Sequence, residues 1–130
     1  MSSTLTTLLR YKLWIDAATL QAISHIDAAQ FAEKRHLALR LMNHVYVVDA
    51  IFKANLTGEQ HGYTALNTPE TPAVEELMHA LSETTRWYLK HVATLNETDR
   101  AKVIRFRFVD GGAGEMQAEE MINHMLFHGT

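Results

Sequence analysis

The chain has 130 residues, a length that makes one domain and buries about two-thirds of its unfolded surface without a disulfide or metal to hold it. Hydrophobic residues are 47% and charged ones 21%, an ordinary globular composition that excludes a disordered or fibrous chain. Twelve basic and fifteen acidic side chains give a net charge of −3 with no cysteine, which argues against a binder of phosphate backbones and excludes disulfide scaffolds, thiolate zinc sites and cysteine nucleophiles.

From the N-terminus, Leu5, Leu8 and Leu9 are soon followed by Arg10, Lys12 and Asp16. No uninterrupted apolar stretch forms there, so the segment does not read as a secretory leader. Leu5, Leu9, Lys12, Leu13, Ala17, Leu20 and Ile23 recur at helical steps and predict an amphipathic helix over 4–25. Asp27 with Gln30 reads as a capping box opening the next segment. In that segment Leu37, Leu41, His44, Val48 and Phe52 mark one stripe of a long second helix, which should end near Leu56 before Thr57-Gly58.

Residues 57–69 read as a polar loop. Thr71 is the expected N-cap of a third helix, with Pro72 in its first position and Glu75 and Glu76 in the first turn, where the helix dipole favours anions. Val74, Leu77, Met78, Leu81, Tyr88, Val92 and Leu95 carry it to about residue 96. After Thr98-Asp99 the period shortens to two. Val103 to Val109 alternates bulky residues with Arg105 and Arg107, Asp110-Gly111-Gly112 supplies a turn, and Glu115-Met116 begins a short return strand. Residues 118–128 are helical again.

Four amphipathic stripes in a chain of this length predict an all-α protein: a four-helix bundle with a small β-hairpin before the last helix, as a single domain over 1–130. No window approaches the roughly 18 apolar residues of a membrane span. A cytoplasmic protein without nucleic-acid or membrane partners is expected.

With cysteine absent, transition-metal or acid–base chemistry must rest on imidazole and carboxylate, and eight histidines are present. His44 shares the second helix's apolar side. His124 and His128 stand one turn apart on the last helix and neighbour each other on one face. Two imidazoles at this spacing can chelate a divalent ion, and a third from a facing helix would leave a position for water or substrate. The plainer account makes each a hydrogen-bonded core or surface histidine, and His25, His36, His61, His79 and His91 read as loop or solvent-side residues. Asp49 lies around the helix from His44 and is a weaker ligand candidate, while Asn43 and Asn123 are candidate hydrogen-bond donors behind a site. Trp14, Trp87 and Tyr88 read as core packing ahead of cavity walls, and Arg105 and Arg107 as charges that keep a strand edge soluble ahead of an anion clamp.

Four stretches resemble the DinB/YfiT-like family of metal-binding helical bundles. Leu9-Arg10-Tyr11-Lys12-Leu13-Trp14 is similar to its first-helix opening, and residues 41–52 around Asn43-His44 to its second-helix ligand segment. Phe106-Arg107-Phe108-Val109-Asp110-Gly111-Gly112 resembles the hairpin before its last helix, and Asn123-His124-Met125-Leu126-Phe127-His128-Gly129-Thr130 the beginning of its C-terminal signature. The resemblance implies a divalent metal held by three histidines, one from the second helix and two spaced by four on the last. His44 matches the first ligand and His128 the second. The family's third histidine falls four residues after that, followed by arginine and glycine, beyond Thr130, so the last helix is expected to be cut short relative to the family. His124 falls one turn before the family's pair and is not carried over.

The resemblance further implies a divalent transition metal, zinc or nickel, and a metal-dependent transferase or hydrolase acting on a small molecule, with a low-molecular-weight thiol as a natural soft ligand. The competing expectation is a non-catalytic helical binding or dimer-forming protein with buried histidines, for which a homodimer is the simplest form.

Overall fold

On the first helix, α1 (Ser3–Ser24), the expected stripe forms: Leu5, Leu9, Leu20 and Ile23 are buried. Lys12 and Asp16 lie on the same line and are buried with them. These coordinates are a computed structural model that describes residues 3–129. Beyond α1 the chain turns at Asp27, whose Oδ1 accepts the N–H groups of Ala29 and Gln30 at 2.8 and 3.0 Å. Asp27 therefore caps this turn and not the second helix. That helix, α2 (Ala32–Thr57), starts at an N-cap, Phe31, that has no side-chain acceptor to offer.

The apolar stripe expected on α2 is rotated from its predicted position. The buried line is Leu39, Asn43, Val47 and Ile51, whereas Leu37 and Leu41 are 61% and 59% exposed. A polar residue, Asn43, occupies a core position, and a hydrophobic pattern cannot register it. The helix ends as expected. Gly58 takes φ +76° and its N–H returns to the Ala54 carbonyl, a left-handed ending that glycine adopts without steric cost.

The third helix, α3 (Val74–Thr94), begins later than expected. Ala73 is its N-cap, in place of Thr71, and Pro72 precedes the helix. The Ala73 N–H donates to Glu76 Oε1 at 3.3 Å, so the glutamate satisfies a backbone donor at the helix start. A short helix that the sequence pattern did not announce follows, α4 (Glu97–Ala101). Asn96 Oδ1 accepts the Asp99 N–H at 2.8 Å and Asp99 Oδ2 accepts the Asn96 N–H at 3.2 Å. This reciprocal pair closes a single turn too brief to show a period.

The hairpin follows the alternation. β1 (Val103–Arg107) and β2 (Ala113–Gln117) pair antiparallel, Val103 opposite Gln117 and Arg105 opposite Glu115. Strand pairing stops at Arg107, short of the expected Val109, because residues 108–111 close a turn in which the Gly111 N–H donates to the Phe108 carbonyl at 2.9 Å. The last helix, α5 (Ala118–His128), follows β2 directly.

Two apolar clusters stack along the bundle. One joins Leu5 and Leu9 of α1, Tyr88 and Val92 of α3, and Ile122, Met125 and Leu126 of α5. The other joins Leu20 and Ile23 of α1, Leu39 of α2, and Val74, Leu77 and Leu81 of α3. Each fully buried side chain of this size contributes about 1.5–3 kcal/mol. Because Phe52 and Leu56 of α2 pack against the first cluster, α2 and α3 run the same way and α1 opposes them. α5, with His124 against Phe52 and His128 beside His44, opposes α2, and the long connection 58–73 carries the chain back along α2. The fold is thus a helical bundle with one long crossover and a two-stranded sheet before the last helix. Between the clusters lies a polar layer of Lys12, Asp16, Asn43, Asp49, Thr84 and Thr85, all buried. Of the three large aromatics expected in the core, Tyr88 is fully buried and Trp87 half-buried, but Trp14 is 63% exposed. Among the described residues no helix is long and apolar enough to cross a membrane.

Candidate metal centre

α5 brings His128 to the level of the polar layer. The same level of α2 carries His44. The bundle thereby joins two histidines 84 residues apart: Nε2 of His44 lies 3.1 Å from Nε2 of His128, with ring centroids 4.9 Å apart and planes tilted by 59°. His44 is half-buried and its Nδ1 donates to the Leu66 carbonyl at 2.6 Å. His128 is more open, at the end of its helix.

This spacing fits two ligands of one cation. Two nitrogens bound tetrahedrally at about 2.0–2.1 Å stand about 3.3–3.4 Å apart, a few tenths of an ångström from the observed separation. The charge state of His128 fits as well. Burial, then the neighbouring His44, His124 and the Lys12 ammonium hold the His128 imidazolium below its ordinary range, and metal ligation requires the neutral ring.

His124, despite its attractive spacing to His128, sets its ring against the edge of Phe52 at 5.4 Å. The remaining histidines lie elsewhere. His25, His36 and His79 are exposed, His61 accepts the Tyr63 N–H at 3.0 Å, and His91 stacks on Trp87 with centroids 4.6 Å apart. Among the described residues no group of three histidine or carboxylate side chains is placed to hold an ion together.

Asp49 is not beside the histidine pair. It is fully buried, with Oδ2 2.9 Å from Lys12 Nζ, and Lys12 is also paired with Asp16 Oδ2 at 2.7 Å. Spacing alone left this buried group unseen, although a lysine and an aspartate four residues apart within the apolar stripe of α1 are its trace. The Lys12 ammonium also explains the glycine after His128: a Cβ on Gly129 would lie 3.1 Å from Nζ, and a side chain there would press on a cation already fixed between two carboxylates. Asn43, expected as a donor behind the site, is fully buried and donates to Asn67 Oδ1 and to Thr68 Oγ1, the latter at 2.8 Å. Arg105 lies 3.6 Å from Glu115 across the exposed hairpin, and Arg107 donates to the Gly111 carbonyl at 3.0 Å.

No curated protein and no solved structure matches the chain. The model of the DinB family matches it over residues 1–130.

Proposed function

The chain belongs to the DinB family, and from that premise we propose that it holds one divalent transition-metal ion, zinc or nickel, between His44 and His128. The proposed role is a metal-dependent transferase or hydrolase for a small molecule, with a low-molecular-weight thiol as the leading substrate class. The observation that carries this reading is the approach of the two Nε2 atoms to 3.1 Å.

A divalent ion there would supply Lewis acidity toward a thiol or a water. The chain's own groups then have separate tasks. His44 and His128 offer neutral nitrogen donors from opposite helices. Their two positions leave room for further ligands, and the absence of cysteine leaves a soft thiolate to come from the substrate. Lys12, fixed behind Gly129, favours the uncharged form of His128.

Metal analysis of protein purified without a histidine tag, on wild type and His44→Ala, tests the site. Near-stoichiometric metal is expected in wild type. In His44→Ala the affinity should fall by more than the roughly 10–100-fold that loss of a ligand's supporting partner costs. Metal that survives the substitution at full stoichiometry would refute the assignment. A conjugation screen over common thiols, with and without chelator, then tests catalysis, and turnover indifferent to the chelator would count against it.

One observation favours a second reading, a helical binding protein that forms a homodimer. Tyr11 and Trp14 on α1 and Leu37 and Leu41 on α2 are 49%, 63%, 61% and 59% exposed, and large apolar side chains left in water are what a partner surface would cover. Sedimentation of the metal-free protein as a monomer would remove it.

A further inference from the structure

The connection between α2 and α3 does more than return the chain. Asn43 Nδ2 donates to Asn67 Oδ1 and Thr68 Oγ1, and Asn67 Nδ2 donates to the Arg40 carbonyl at 3.2 Å. Arg40 Nη1 in turn donates to the Thr68 carbonyl at 2.6 Å and to Thr71 Oγ1 at 3.3 Å. Residues 66–71 are thereby bound lengthwise to one turn of α2. Asn43 is fully buried on the core line of that helix, where an amide is costly unless it is hydrogen-bonded. The result is a backbone carbonyl, Leu66, laid against His44 Nδ1 at 2.6 Å. A carbonyl oxygen only accepts. His44 Nδ1 therefore carries the proton, and its Nε2 is left with a bare electron pair.

We infer that residues 66–71 are a strap that sets the ring orientation and tautomer of His44, with Asn43 and Arg40 as positioning residues, so that Nε2 faces His128 as a ready donor before any cation arrives. This rests on the reading of His44 as a metal ligand. It assigns unequal parts to the two histidines. With Nε2 of His44 bare, the 3.1 Å contact is a hydrogen bond donated by Nε2–H of His128. His44 is preset, whereas His128 must lose that proton to solvent and carry one on Nδ1 before its own Nε2 can ligate. His44 is the anchoring ligand and His128 the closing one. Metal-binding histidines are commonly fixed through their other ring nitrogen, by a carboxylate, a backbone carbonyl or water; here the carbonyl is itself held in place by the helix that carries the ligand.

The test is long-range proton–nitrogen correlation on the full chain labelled with nitrogen-15 histidine, metal-free, with His44 identified by its loss in His44→Gln. Wild type should show His44 in the Nδ1–H form. Asn67→Ala and Thr68→Val cut the strap without opening the core. Each should give a mixed or Nε2–H ring and lower Zn2+ affinity by about 10–100-fold, with backbone amides away from the strap unmoved. An Nε2–H His44 in wild type, or variants that keep the Nδ1–H form, would overturn the inference. A preset His44 that the strap variants release, but whose ring and that of His128 ignore added Zn2+, would uphold the strap and refute the metal reading alone.

Discussion

Lys12 shares one ammonium between two acids, Asp16 at 2.7 Å and Asp49 at 2.9 Å, in a layer closed to water. Burial opposes the Lys12 charge, but Asp49 and Asp16 outweigh it and raise its pKa. Asp49 is the poorer partner. Burial pushes its carboxyl from 3.8 to about 7 against the pull of Lys12, and its Oδ1 has no hydrogen-bond partner among the described residues. The folded state therefore holds a proton that the unfolded chain releases near pH 4, and this group's contribution to stability, full below that pH, is lost as pH rises through about 7. His128 acts oppositely: its lowered pKa makes its contribution present above 6.5 and lost as pH falls. Asp49→Asn isolates the first effect. Urea unfolding at a series of pH values should show the variant gaining on wild type from about pH 4 to about pH 7 and levelling above; a difference that does not vary with pH would show that Asp49 stays ionised throughout. At this scale the sequence was only partly legible. His44 and His128 were marked by the resemblance to the family, and Lys12 by its place in the stripe. The strap carbonyl of Leu66 had no mark, because every residue has a carbonyl and only the fold selects one.

Elements were most legible where a stripe and its end signals agreed. α3 combined a regular apolar period with Pro72 and two glutamates, and only its start moved, because Glu76 takes the Ala73 N–H. α2 had an equally regular set of leucines, but Leu37 and Leu41 face outward while Asn43 takes the core line to hold the strap. Hydrophobicity cannot reveal a helix face buried through a hydrogen bond. The end of α2 was legible because Gly58 needs positive φ, and nothing lies within 4 Å of where its Cβ would be. Gly58→Ala should thus cost backbone strain alone, about 1–2 kcal/mol, with Gly58→Asn milder. Thermal unfolding of the two variants measures this, and an alanine variant as stable as wild type would contradict it.

Across the whole molecule, the two apolar clusters draw on different helices. The one around Leu9, Tyr88 and Met125 joins α1, α3 and α5, and the one around Leu20, Leu39 and Leu77 joins α1, α2 and α3. The four amphipathic stripes foretold the bundle, and the alternation in 103–109 its hairpin; neither could foretell the crossover direction of 58–73, which polar contacts to α2 fix. Native-state hydrogen exchange should follow this asymmetry. Amides of 35–38, on an α2 stretch with no buried side chain, should exchange well before those of 47–54, where Val47, Val48, Asp49, Ile51 and Ala54 are buried. Equal protection across α2 would mean that its first turns are held by contacts other than these.

The two nitrogens at the meeting of α2 and α5 are where residue, element and bundle converge. Anomalous diffraction at the zinc edge, from crystals soaked in Zn2+, addresses them directly. The prediction is one strong peak within about 2.1 Å of Nε2 on both His44 and His128. A peak bound to only one of the two, or none at the pair while zinc occupies other histidines, would contradict it.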